Sequence, residues 1–112
     1  MALSRIHRLK DRTRIGRVLR FGRRASIAGM RISMAKSPDI HSHLAITVPK
    51  TIDKRSTVRN ALRRRAAEIL RPILPRLSPP ADIVITLSPG AKALDSREFK
   101  QKLESLVYGR NF

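Results

Sequence analysis

The chain has 112 residues, enough for one compact domain and too few for two of ordinary size. Its 25 Lys and Arg against 8 Asp and Glu leave a formal charge of +17, far more than solubility requires, so a polyanion is the expected partner. With no cysteine, disulfides, zinc fingers and cysteine nucleophiles are excluded; with no Trp and 4% aromatics, the core must be built from Leu, Ile, Val and Ala.

Residues 1–8 read as a basic N-terminal arm. Over residues 11–21, Ile15, Val18 and Leu19 recur at helical spacing with Arg12, Arg14, Arg17 and Arg20 around them, and Gly22 is a plausible stop, which predicts a short basic helix. A further short strand is possible near Ile27. Residues 30–36 (MRISMAK) alternate apolar and polar, and 43–48 (HLAITV) form a second β-prone run. Ser37, Pro38 and Asp39 supply turn chemistry between them, so a β-hairpin is the simplest reading.

The loop over 49–55 is basic, and Ser56 or Thr57 is expected to cap the helix that follows. In that helix Val58, Leu62, Ala66 and Ile69 form one stripe. At about 100° per residue, Arg59, Asn60, Arg63, Arg64 and Arg71 occupy the opposite arc, with Arg65 at the border. Pro72 and Pro75 end the helix, and Pro79 with Pro80 keeps the connection extended. Residues 82–87 (DIVITL) read as a strand buried on both faces. Ser88, Pro89 and Gly90 turn the chain. Asp95 and Glu98 have capping-box spacing ahead of Phe99, Leu103, Leu106 and Val107, which predicts a C-terminal helix. The order is helix, two or three strands, helix, strand, helix, in one domain spanning 1–112.

The basic residues are spread over several elements instead of one amphipathic helix, which favours nucleic acid over a membrane surface. No apolar run approaches the roughly 20 residues that cross a bilayer, and no secretory signal follows the basic start, so a cytoplasmic protein is expected. His7, His41 and His43 have no patterned carboxylate or nucleophile nearby, and Asp11, Asp39, Asp53 and Asp82 each read as a cap or turn residue. No catalytic constellation is present, and a protein nuclease acting alone is disfavoured. An arginine ridge on a rigid helix suits tracking a phosphate backbone, because guanidinium binds phosphate bidentately and stacks on bases. On composition alone, a ribosome-associated or general RNA-binding protein stands equally well.

Three blocks then narrow the reading. LAITVPK followed by Arg59-Asn60, Leu62, Arg63, Arg64 and Glu68 is similar to the signature of the bacterial ribonuclease P protein family. DIVITLSPGAKALDSREF resembles that family's final strand, Pro-Gly turn and last helix, and LKDRTRIGRVLRFGRR resembles its opening helix. The resemblance implies an α/β (α+β) sandwich, a central sheet flanked by helices like the second domain of ribosomal protein S5. It implies an accessory subunit, monomeric in the holoenzyme, that binds a catalytic RNA and the 5′ leader of precursor tRNA. Mg²⁺ would be held mainly by the RNA, with none bound tightly by the protein.

Carried over residue by residue, Arg59, Asn60, Arg63, Arg64 and Arg65 would meet the catalytic RNA. A cleft near Arg12, Ile15, Leu19, Lys36, Thr47 and Lys50 would take the leader. The departures are Ala61 where the family's motif has a second Arg, Ile15 and Leu19 where it carries aromatics, and Pro49 where it has a small residue.

Overall fold

The computed structural model describes residues 7–108. Its elements run α1 (Arg12–Phe21), β1 (Arg23–Ile27), β2 (Met30–Lys36), β3 (His43–Thr47), α2 (Ser56–Leu70), a 3₁₀ turn (Leu74–Arg76), β4 (Ala81–Leu87), α3 (Pro89–Lys92) and α4 (Ser96–Tyr108). Of the expected N-terminal arm, residues 1–6 lie outside the described region. Beyond them, Arg8 bridges Leu44 and the Leu9 amide donates to the Leu44 carbonyl at 2.9 Å, so this stretch lies along β3.

The four strands form one sheet in the order β1-β2-β4-β3. The short strand near Ile27 exists, but the expected hairpin between β2 and β3 does not. β2 pairs antiparallel with both β1 and β4, and β3 lies parallel to β4 on its other side. Burial decides this. Ala81, Asp82, Ile83, Val84, Ile85 and Leu87 are all buried, so β4 takes the centre, where both faces are covered, and separates two strands that are neighbours in sequence. The parallel β3–β4 pair requires a long connection, and α2 provides it.

β1 and β2 do form a hairpin, closed by Ala28 and Gly29 with φ of 48° and 84°. Two positive φ values are the primed-turn geometry whose twist matches that of the strands. Gly29 is required twice over, since a Cβ there would also lie 2.4 Å from the Ala91 amide nitrogen.

Strand alternation sorts the sheet into two unlike faces. Met30, Ile32, Met34, Leu44, Ile83, Ile85 and Leu87 point to one side and pack with Leu62, Ala66 and Leu70 of α2 and Phe99, Leu103 and Val107 of α4. This is the main core. On the other face Val84, Ala35 and Ala45 meet Val18 and Ile15 of α1 and Leu9 in a smaller cluster. The C-terminal helix starts as its sequence predicts: the Glu98 amide donates to Asp95 Oδ1 at 2.8 Å, and the Asp95 amide donates to Glu98 Oε1 at 3.3 Å. The expected cap on α2 is absent. Arg55 holds the N-cap position without a side-chain bond to the helix amides, and its carbonyl accepts from the amides of Val58 and Arg59.

Candidate nucleic-acid interface

Helix α1 lies across one end of the second face, and its seating defines the cleft. Asp11 caps its start by accepting from the Thr13 amide at 2.9 Å, while Arg24 of β1 donates to the Leu19 carbonyl at its end at 2.7 Å. In between, the Arg14 guanidinium forks onto Asp82, with Nη2 2.8 Å from Oδ1 and Nε 3.1 Å from Oδ2. Asp82 is therefore no cap or turn residue but a buried strand carboxylate that ties helix to sheet. Arg14 also approaches Asp39 at 3.8 Å, and Asp39 accepts from the His43 ring at 3.0 Å. Bonds from the His41 amide, and next from His43, hold the Asp39 carboxyl down at about 2.

At about 100° per residue, Arg12, Ile15 and Leu19 fall on one flank of buried Val18, and Arg14 and Phe21 on the other. The first flank borders the open part of the sheet. There the exposed side chains of Ser26, Arg31 and Thr47 and the half-buried Thr86 share one row, set by the pairings Ser26 with Arg31, Arg31 with Thr86 and Thr86 with Thr47. A groove of about 460 Å³ between Arg31, Thr86, Pro49 and Thr51 continues that row off the sheet toward Lys50. Sequence reasoning missed Arg31 and Thr86. The alternation in MRISMAK separates Met30, Ile32 and Met34 from Arg31, Ser33 and Ala35; what it could not reveal was which face α1 would leave open.

Of the expected leader-cleft residues, Arg12, Ile15, Leu19 and Thr47 are placed on or beside this lane. Lys36 is not: it shares the parity of Met34, so it points to the opposite face and lines a separate groove at the rim of the sheet.

On α2 the arginine ridge divides. Arg59 is half-buried, and its Nη1 donates to the carbonyls of Asp53 and Lys54 at 2.9 Å each, holding the loop against the helix. Arg65 lies over the Phe99 ring, 5.6 Å from its centroid, at the junction with α4. The outward surface is carried by Asn60, Arg63 and Arg64, which with Thr57 line a shallow notch of about 330 Å³; Arg63 donates to Asn60 Oδ1 at 2.7 Å and is thereby oriented.

The loop before α2 is built around Asp53. Its carboxylate accepts from the Arg55 side chain at 3.0 Å and from Lys92 at 2.6 Å, which joins the loop to α3. Those two cations, Arg55 first, hold it far below the usual carboxylate range. Among the described residues no three His, Asp or Glu side chains gather as metal ligands. Asp39, Asp53 and Asp82 are each committed to basic partners. No described helix is long and apolar enough to cross a membrane.

Fold and surface together define a class: a small basic α/β domain with a cationic helix face and a polar lane beside its first helix, suited to a polyanion. A family model described as Ribonuclease P matches residues 3–109. The ribonuclease P protein component of Synechococcus elongatus is 34% identical over 112 residues, covering 96% of this chain and 92% of its own. That of Microcystis aeruginosa is 31% identical over 115 residues, covering 99% and 96%. The chain belongs to the ribonuclease P protein family, and it is the protein component, the accessory subunit of an endoribonuclease that processes tRNA 5′ ends in partnership with an RNA.

Solved structures agree on the fold. The RNase P protein of Thermotoga maritima superposes with a TM-score of 0.80 at 22% identity over 95% of this chain and 99% of its own. That of Staphylococcus aureus gives 0.80 at 18% identity over 94% and 95%.

Proposed function

We propose that this protein binds the 5′ leader of precursor tRNA in the lane beside α1 while the outward face of α2 lies against the catalytic RNA. The observation that carries this reading is the seating of α1. The Arg14–Asp82 fork holds the helix across one end of the sheet and leaves Arg31, Thr47 and Thr86 open beside Arg12, Ile15 and Leu19. A single strand laid along that lane meets hydroxyls and cations, with apolar helix side chains in place of aromatic stacking partners.

Arg63 and Arg64 are the principal contacts proposed for the catalytic RNA, with Asn60 orienting Arg63. Arg59 and Arg65 support them, one by shaping the loop and the other by packing on Phe99. Catalysis belongs to the RNA and its Mg²⁺. The protein neutralises crowded phosphates, lowers the Mg²⁺ requirement and extends the footprint on the substrate. It acts as a monomer in the cytoplasm.

The test is cleavage of a precursor tRNA by a bacterial ribonuclease P RNA at low Mg²⁺, with and without this chain. Protein-dependent cleavage at the mature 5′ end is expected. Tight RNA binding without stimulation would overturn the proposed placement and mark a subunit matched to a different RNA. Replacing Leu19, which is 41% exposed, by Phe is expected to tighten binding of leadered over leaderless tRNA, since one added stack is worth about 1–3 kcal/mol.

A further inference from the structure

Among the described residues there are three aromatic rings of the Phe and Tyr kind. Phe99 is fully buried, whereas Phe21 and Tyr108 are 76% and 58% exposed. Each exposed ring forgoes the transfer free energy that burial would return, in a chain with few aromatics available for a core. The two lie together. Phe21 at the end of α1 and Tyr108 at the end of α4 line one groove of about 700 Å³, whose walls also include Arg23, Lys36, Pro79 and Pro80. None of its lining residues is acidic.

This groove is separate from the leader lane, because Phe21 sits on the opposite flank of Val18 from Ile15 and Leu19, and Lys36 points away from the face that α1 covers. Flat rings set among cations match an occupant that has both π-faces and phosphates, and a net charge of +17 disfavours a second copy of the chain. We infer that the rim groove is a second binding site for single-stranded nucleic acid, stacking a nucleobase on Phe21 and Tyr108 while Lys36 meets its phosphate.

The inference rests on the reading of this protein as one that holds RNA, but its test is independent. The chain has one tyrosine and no tryptophan, so its intrinsic emission comes from Tyr108 alone. The intact protein is titrated with a short single-stranded oligoribonucleotide and with an abasic oligomer of equal length. Quenching by the first and not by the second is expected. The exposed position of Phe21 makes Phe21→Ala safe for folding, checked by circular dichroism, and that variant is expected to bind the oligoribonucleotide at least about fivefold more weakly, the loss of a single stack.

Binding seen by polarisation of a labelled strand, with Tyr108 emission and the Phe21→Ala affinity both unchanged, would overturn the site. So would emission that depends on protein concentration instead of RNA, which would make the groove a contact between copies. Stimulated precursor cleavage without quenching would remove the groove and leave the proposed function standing; quenching without stimulated cleavage would do the reverse.

Discussion

Asp82 shows how one side chain can set the geometry of a surface. It is 3% exposed, and its bidentate partner Arg14 comes from a helix 68 residues away in sequence. Asp82→Asn keeps the shape but loses the charge-assisted fork, and hydrogen bonds to charged groups contribute about 1.5–3 kcal/mol. A loss of that order in urea unfolding is expected, together with faster amide exchange in α1 than in α4. The acid response follows from Asp39 and Asp53. Both carboxyls are depressed in the folded state, so they stabilise it above the ordinary carboxylate value of 3.8 and lose that contribution as pH falls, for Asp39 down to about 2. Thermal melts are therefore expected to drop as pH is lowered from 3.8 toward 2, and Asp53→Asn to flatten that slope.

On the scale of elements, α2 combines two tasks that sequence alone cannot separate. Its arginines fall within seven positions, from Arg59 to Arg65, yet Arg59 bonds loop carbonyls and Arg65 covers Phe99, while Arg63 and Arg64 border the outward notch. Replacing Arg63 and Arg64 together by Ala is expected to leave the melting temperature nearly unchanged and to lower the salt slope of RNA binding by about one unit for each phosphate that the two guanidinium groups neutralise. Arg59→Ala is expected to lower the melting temperature as well, because two loop carbonyls lose their donor. An Arg59→Ala variant as stable as the parent chain would return that side chain to the RNA-facing set. The capping box of α4 was legible because its partners are three residues apart. The N-terminus of α2 was not, since its stabilisation comes from Asp53 and the loop instead of from Ser56 or Thr57.

For the whole molecule, the charge of +17 acts against the fold that carries it. The compact shape, with a radius of gyration of 13.0 Å, brings those charges within reach of one another. Screening should therefore raise stability: the melting temperature is expected to increase from low to moderate sodium chloride, and further with a bound polyanion. A flat or falling response would mean that local ion pairs such as Lys92–Asp53 outweigh the global repulsion. The core supplies the opposing term. Leu103→Ala removes a fully buried side chain between α4 and the sheet, and a loss of about 2–5 kcal/mol in chemical denaturation is expected.

Helices α1 and α4 and the buried character of β4 were readable from residue order, because each depends on spacing within a few positions; the short strand near Ile27 was only allowed as an option, and the family was reached by resemblance over three separate blocks. Helical spacing grouped Ile15, Val18 and Leu19, whereas Arg12 joined Ile15 and Leu19 only through the family resemblance. The partner of each strand was not readable. β2 and β3 read as a hairpin because they are adjacent in sequence, but β4, apolar on both faces, takes the position between them once α2 and α4 cover one side and α1 the other. That insertion also decides which alternate residues face α1, and so places Arg31 and Thr86 on the lane and Lys36 at the rim. Local periodicity is a property of the backbone repeat; strand order is decided by which surfaces can be buried together, and only the folded chain settles that.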